Sequence, residues 1–300
     1  MLTTLKAILA KADKGRYAVG AFNVNNMEAV KAVIDGAVEM RSPVVIQTSE
    51  GALEYAGVEY LAAMIRVASR AKVPVAMHLD HGKDLAYVRM ALTAGYTSVM
   101  YDGSSLPYAE NVAKTKKVVA WARAAGASVE AEIGALKGVE DKVVVSEKEA
   151  FYTDPEEAVR FAAATKCDAL AISVGTAHGA HKSKGAAAAL DIARLAKIDA
   201  MVKVPLVLHG ASGISPEFIA RTKNYCERLE DCSRLDGANG IRKINIDSDL
   251  RIAFTAGLRE TIATDHTAID PRKLLALSNR LMKDVVMHKM ELFGSKGKAK

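Results

Sequence analysis

Apolar positions along this chain follow two alternating rhythms. Short β-branched or aliphatic runs recur at Tyr17–Phe22, Val44–Gln47, Val73–Leu79, Ser98–Tyr101, Ser128–Ile133, Ala169–Val174, Val204–Leu208 and Ile241–Ile246, with the length and composition of buried strands. Between them, apolar residues return every three or four positions, as on one face of a helix. After the first strand, Asn25-x-x-Glu28 reads as a capping box, Ala29, Val30, Val33, Ile34, Ala37 and Val38 form one face, and Ser42-Pro43 ends the helix. Leu61, Met64, Ile65 and Ala68 repeat the pattern. Gly95 and Gly126 fall where C′ glycines close helices, and Asp154-Pro155 sets an N-cap before a proline at the first helical position. Strand followed by helix, eight times over, predicts a parallel sheet. At 300 residues it predicts an α/β fold, a (β/α)8 TIM barrel, with Pro271–Phe293 as an additional C-terminal helix. The barrel and that helix are expected to form one domain over residues 1–293, with a basic disordered tail at 294–300. A long polar link at 224–240 does not fit the simple repeat.

Composition narrows this picture. Half of the residues are apolar, enough for a large core. No run approaches the roughly 18 apolar residues of a membrane span, and Lys6 and Lys11 interrupt any signal-peptide core. Cys167, Cys226 and Cys232 contain no C-x-x-C pair, so a zinc knuckle is not indicated and a reduced, cytoplasmic setting is expected. The net charge is +6, but Lys296, Lys298 and Lys300 supply three of those charges. The remainder suits anionic small molecules, and neither nucleic acid nor a membrane is expected as a partner.

In a barrel of this kind the chemistry sits at the C-terminal ends of the strands. Asn23, Ser49, Asp80-His81, Asp102, Glu132, His178, His209 and Asn245 occupy those ends. A polar residue can end any strand, so each alone is compatible with an ordinary loop. Three of the seven histidines on one rim are harder to place that way. His81, His178 and His209 would leave a divalent metal with its full charge and an open position, as in a catalytic zinc site. His78 shares the parity of Asp80 one layer deeper, a supporting or structural place. Glu130 and Glu132 point inward by parity, as does Lys243, which makes a buried Glu130–Lys243 ion pair the plain reading of Glu130. Glu132, nearer the rim, is the better candidate for function. The turn L-H-G-A-S-G, with Gly210, Ser212 and Gly213, and the helix start N-I-D-S-D can present backbone N–H groups to a phosphate.

The motifs V-A-M-H-L-D-H-G, S-V-G-T-A-H-G, V-L-H-G-A-S-G and I-N-I-D-S-D, in this order on these strands, resemble the class II, metal-dependent fructose-bisphosphate aldolases over about Gly20 to Arg272. The resemblance implies reversible cleavage of fructose 1,6-bisphosphate to dihydroxyacetone phosphate and glyceraldehyde 3-phosphate, within glycolysis or gluconeogenesis. It implies Zn2+ on His81, His178 and His209, and Asp80 as the acid/base at the C4 hydroxyl. Asp102 and Glu132 match carboxylates that hold a second divalent or a monovalent cation, or an alternative zinc position. Glu140, in K-G-V-E-D, matches a loop glutamate that moves the C1 proton of dihydroxyacetone phosphate, although Val139 stands where the family often has another glutamate. Gly179, Lys182, Gly210, Ser212, Asn245, Asp247 and Ser248 match the triose-phosphate pocket. Asn23 and Ser49 match the far end of the substrate, and Arg251 and Arg272 the second phosphate, with Arg272 supplied by a neighbouring subunit of a homodimer or homotetramer.

A Schiff-base aldolase would need a lysine ending a strand inside the barrel, where Ser173-Val174-Gly175 stands instead. A metal hydrolase would want H-x-H after strand one, which reads F-N-V-N. Tagatose-bisphosphate aldolase is the nearer alternative, and Asp247 favours the fructose side. A non-catalytic sugar-phosphate-binding barrel is the remote one.

Overall fold

The computed structural model describes residues 1–134, 137–140, 143–145, 152–175, 177–178, 191–212 and 240–299. Its strands are β1 (Val19–Asn23), β2 (Val44–Ser49), β3 (Val75–Gly82), β4 (Ser98–Tyr101), β5 (Ser128–Ile133), β6 (Lys137–Glu140), β7 (Val143–Val145), β8 (Ala169–Ile172), β9 (Ala177–His178), β10 (Leu206–Leu208) and β11 (Ile241–Ile246). Parallel pairing in the circular order β1-β2-β3-β4-β5-β8-β10-β11 closes a barrel. The predicted eight-strand architecture is therefore present, with helices between the strands. The bounds at β4, β5 and β11 match the sequence pattern, whereas β3 begins later and runs on through the polar residues Asp80-His81-Gly82. The end of a barrel strand can carry polar side chains because their partners lie at the rim.

Local chemistry explains most of the helix bounds. The first βα helix starts at Met27, so the cap is Asn26, whose Oδ1 accepts from Ala29 N–H at 2.9 Å. That corrects the box read at Asn25, because Glu28 then stands one place too early to reach back. Asp154 caps the helix Pro155–Thr165 as expected. Gly95 and Gly126 take φ of 83° and 70°, the left-handed closure that a Cβ would oppose.

The interior has two halves. Below, Val19, Ala21, Val45, Ala76, Met100, Ala169, Ala171 and Val207 pack with Leu5, Ile8, Leu9 and Ala12. Those last four belong to an N-terminal helix, Leu5–Lys14, which plugs the barrel and was not anticipated from the sequence. Above, the inward residues are polar. Between sheet and helices lies the main apolar core, from Phe22 and Val33 to Leu170 and Phe293.

Two further differences concern the ends of strands and of the chain. β6 and β7 form an antiparallel hairpin, and β9 pairs in parallel with β6. These strands follow β5 and β8, so the small sheet stands at the catalytic end. The predicted C-terminal helix is two helices, Pro271–Leu274 and Ala276–Leu292. The tail expected to be disordered is instead fastened as far as Ala299. Ser295 is buried with its hydroxyl 2.8 Å from that of Ser42, and Gly297 and Ala299 donate N–H groups to the carbonyls of Met40 and Arg41. Lys296 and Lys298 face solvent, so the tail's composition reflects only its outer side. Of the polar link at 224–240, all but Gly240 lies outside the described residues. No helix among the described residues is long and apolar enough to cross a membrane.

Candidate metal centre and active site

Strand alternation would put Asp80 and His81 on opposite sides of β3. The backbone prevents this. His81 has a φ of 47°, and the β3–β4 register shifts between Leu79 and Gly82. A left-handed residue within a bulge turns its side chain back toward the neighbours of Asp80. Adding a Cβ at the following Gly82 would bring it to 2.6 Å from the Met100 carbonyl, so only glycine lets β3 and β4 approach there.

The two imidazoles face each other. His81 Nε2 lies 2.9 Å from His209 Nδ1, while the outer nitrogens are held by carboxylates: His81 Nδ1 by Asp102 Oδ2 at 2.9 Å and His209 Nε2 by Glu130 Oε1 at 2.9 Å. Ionised carboxylates only accept, so each outer nitrogen carries a proton. The facing nitrogens then direct lone pairs at one another unless a proton or a cation lies between. Among protein groups alone, His81 holds that proton. Burial works to lower its pKa, but the charge of Asp80 and the hydrogen bond and charge of Asp102 outweigh it, raising it to about 10. Burial, with the positive charges of His81 and Lys243, pushes His209 well below its ordinary value. Burial would raise Asp102, but the hydrogen bond and charge of His81, with Lys83, hold it below the usual carboxylate range.

These donors fit a divalent metal. Ligand atoms of Asp80, His81 and His209 lie within 4.8 Å of one another, as do those of His81, Asp102 and Glu132. Glu132 is buried, its Oε2 has no hydrogen-bond partner among the described residues, and burial followed by the charge of Asp102 pushes its pKa well above the usual range. A cation between these groups would replace the proton that His81 holds and give the Glu132 carboxylate a partner. Of His178, only the backbone is described, in β9 beside Gly138.

Asp80 is 1% exposed and gripped by three amides. Asn23 Nδ2 and Gln47 Nε2 reach Oδ2 at 2.9 and 3.1 Å, and Asn245 Nδ2 reaches Oδ1 at 3.1 Å. Gln47 also donates to Asn23 Oδ1 at 2.7 Å, which orients that amide. Gln47 was missed because the sequence pattern took it as the last strand residue and looked two positions further, to Ser49. The usable signal was its parity with Ser49, which places both inward. Below these groups, His78 Nδ1 meets Ser98 Oγ at 2.8 Å, the supporting place that its parity indicated. The Glu130–Lys243 pair read from parity is present, with Nζ 2.9 Å from Oε2.

At the turn after β10, Gly210 takes a φ of 65°, and Ser212 Oγ accepts from Asp247 N–H at 3.2 Å. Ser248 opens the helix Ser248–Thr264, so its positive end faces this turn. Asp247 accepts from Arg251 Nε at 2.7 Å. A cavity of about 470 Å³ joins Asn23 to Arg251, between Gly51, Tyr55 and Phe254. Ser49 caps the helix Glu50–Ala56 through Ala52 N–H. Arg272 stands outside this group: its side chain is 90% exposed and its guanidinium clasps Asp270 at 2.8 Å. The Glu140 backbone ends β6, and Gly179, Lys182 and Gly213 lie outside the described residues.

A closed parallel barrel that gathers imidazoles, carboxylates and a glycine turn beside a helix start at one rim defines a metal-binding (β/α)8 enzyme scaffold. The model of the family described as "Fructose-bisphosphate aldolase class-II" matches residues 3–298. The chain belongs to the class II fructose-bisphosphate aldolase family. It is 46% identical over 306 aligned positions to the fructose-bisphosphate aldolase of Thermus caldophilus, covering all of both chains. To that of Helicobacter pylori strain J99 it is 41% identical over 310 positions, covering 99% of this chain and all of the other. Among solved structures, the YdjI aldolase from Escherichia coli K12 superposes with a TM-score of 0.81 at 32% identity, covering all of both chains.

Proposed function

We propose that this protein is a metal-dependent aldolase that reversibly cleaves fructose 1,6-bisphosphate to dihydroxyacetone phosphate and glyceraldehyde 3-phosphate. Membership of the family sets the reaction class. The observation that carries the reading is the adjacency of Asp80, gripped by three amides, and His81, facing His209. Zinc is the proposed metal, because imidazole donors with an open position suit it; His81 and His209 would hold it, with His178 as the third ligand. When bound, it supplies the Lewis acidity that polarises the ketone carbonyl.

The remaining work falls to side chains. Asp80 takes the proton of the C4 hydroxyl as the C3–C4 bond breaks and returns it in the reverse direction. Asn23, Gln47 and Asn245 fix the carboxylate for that transfer. Glu140 exchanges the C1 proton of the ketone fragment. Backbone N–H groups at Gly210 and Gly179, with Ser212, Ser248 and Lys182, hold the triose phosphate at a helix start. Asn23, Ser49 and Arg251 line the side toward the second phosphate. Arg272 completes that side from a second subunit, in keeping with its exposure and that of Ile269 at 89%. Asp102 and Glu132 offer a place for a second cation. Cys167, buried and unpaired, suits a reducing cytoplasm.

The test is cleavage of fructose 1,6-bisphosphate, with tagatose 1,6-bisphosphate in parallel, before EDTA, after it and after zinc is restored. Metal-restored activity favouring fructose supports the whole reading. A preference for tagatose overturns only the role of Asp247, and activity indifferent to chelation removes the metal from the mechanism.

A further inference from the structure

Lys243 is fully buried in the polar half of the barrel, and its ammonium makes contacts in two directions. It lies 2.9 Å from Glu130 Oε2 and donates to Oε1 at 3.2 Å, and it donates to Asn245 Oδ1 at 2.8 Å. A buried ion pair is weak grounds for stability, since well-packed apolar residues serve as well. What an ammonium does without ambiguity is donate, because it has no acceptor. Asn245 must therefore turn its oxygen to Lys243 and its NH2 to Asp80. Glu130, turned to the ammonium by both of its oxygens, accepts from His209, which places the His209 proton on Nε2 and the lone pair on Nδ1, toward His81.

We propose that Lys243 is a positioning residue that dictates both the tautomer of His209 and the amide orientation of Asn245, and so links metal ligation to the placement of Asp80. The inference rests on the aldolase reading for Asp80, but its first arm concerns the metal-free protein alone. In Glu130→Gln, Lys243 claims the new side-chain oxygen and leaves the amide NH2 facing His209. His209 Nε2 must then accept, so its proton is released to solvent and the one between the facing nitrogens passes from His81 Nε2 to His209 Nδ1, the nitrogen a metal needs. In the double variant Lys243→Met/Glu130→Gln, the amide is free to turn its oxygen back to His209, and Asn245 Oδ1 loses its donor, which leaves that amide held from its NH2 side alone by Asp80 and His209.

The experiment is nitrogen-15 NMR of histidine-labelled, metal-free protein, with zinc affinity from chelator competition and steady-state kinetics on the zinc-loaded forms. Wild type and the double variant should carry the His209 proton on Nε2, and Glu130→Gln on Nδ1. Zinc affinity should fall about 10- to 100-fold in Glu130→Gln and return to within a few-fold of wild type in the double variant. The double variant should keep KM while kcat drops by at least about tenfold. An unchanged tautomer in Glu130→Gln, equal zinc affinities in the two variants, or undiminished kcat in the double variant would each overturn the proposal. If Glu130→Gln does not fold, the charge-balanced double variant decides through its tautomer and its kcat. A protein inactive on either bisphosphate would still give the tautomer and zinc results, so loss of the aldolase reading is distinguishable from loss of this one.

Discussion

Gln47→Met separates the placement of Asp80 from the stability of the barrel. The substitution keeps the length of the side chain, removes its amide and leaves it fully buried. It deletes two hydrogen bonds, to Asn23 Oδ1 at 2.7 Å and to Asp80 Oδ2 at 3.1 Å. The first is a neutral bond, of about 0.5–1.5 kcal/mol net, and the second goes to a carboxylate, at about 1.5–3 kcal/mol. Against this, Gln47 Oε1 is buried with no hydrogen-bond partner among the described residues, and its removal returns roughly 1–3 kcal/mol. At the middle of these ranges the net loss of stability is about 1 kcal/mol. Catalysis has no such compensation: Asp80 loses a donor, and the Asn23 amide loses the contact that orients it. A displacement near 1 Å costs about 10²-fold. The expected result is a 10- to 100-fold fall in kcat, with zinc content unchanged and only a small shift in the urea midpoint. The assay is coupled detection of triose phosphate on zinc-saturated enzyme, beside urea unfolding. A kcat within threefold of wild type would refute the claim that the amides position Asp80.

Zinc affinity should weaken as pH falls. The ordinary histidine pKa is near 6.5 and that of His81 in the metal-free protein is about 10, so metal must displace one proton at any pH below that value. The constant should fall about tenfold per pH unit between 9 and 7, and a flat chelator-competition profile would show that His81 is not the group displaced. Deleting residues 294–300 removes the Ser42–Ser295 hydroxyl bond and the two backbone bonds to Met40 and Arg41. It should cost about 1–3 kcal/mol in urea unfolding while leaving KM unchanged; no loss of stability would mean the tail does not hold in solution.

The barrel was legible because its strands carry short apolar or alternating runs and its helices a clear period, and because Asp154-Pro155, Gly95 and Gly126 punctuate them by local chemistry. The inward carboxylates and Lys243 followed from parity alone, since a regular strand fixes its sides. Where the backbone departs from regularity, parity stops working. At His81 alternation gives the wrong side, and a histidine in a left-handed conformation has no sequence mark. Gln47 was hidden by a boundary placed two residues short of Ser49, although its inward parity was available. The tail was misread for another reason: lysine and glycine describe its solvent face, while its attachment uses Ser295 and backbone N–H groups that any composition supplies. Contacts such as Asn23 with Asp80 and His81 with His209 join residues 57 and 128 positions apart. Such contacts become visible only once the barrel sets strand order and register.

The unanticipated N-terminal helix follows from what the strands carry. An ordinary barrel fills its interior with branched apolar layers. Here the upper half is given over to Asp80, Glu130, Glu132, Lys243, Asn245 and His209, whose charges and dipoles are worth most to chemistry when water is excluded. Apolar burial must then be found elsewhere. The lower half uses small residues, Ala21, Ala76, Ala169 and Ala171, and the space they leave is closed by Leu5, Ile8 and Leu9 of the helix Leu5–Lys14. That helix meets β1, β3, β5 and β11 at once. It seals the end of the barrel opposite the site, so the Lys243–Glu130 pair lies between an apolar plug and the metal centre, where a donor-only cation and an acceptor-only anion have few partners but those of the site.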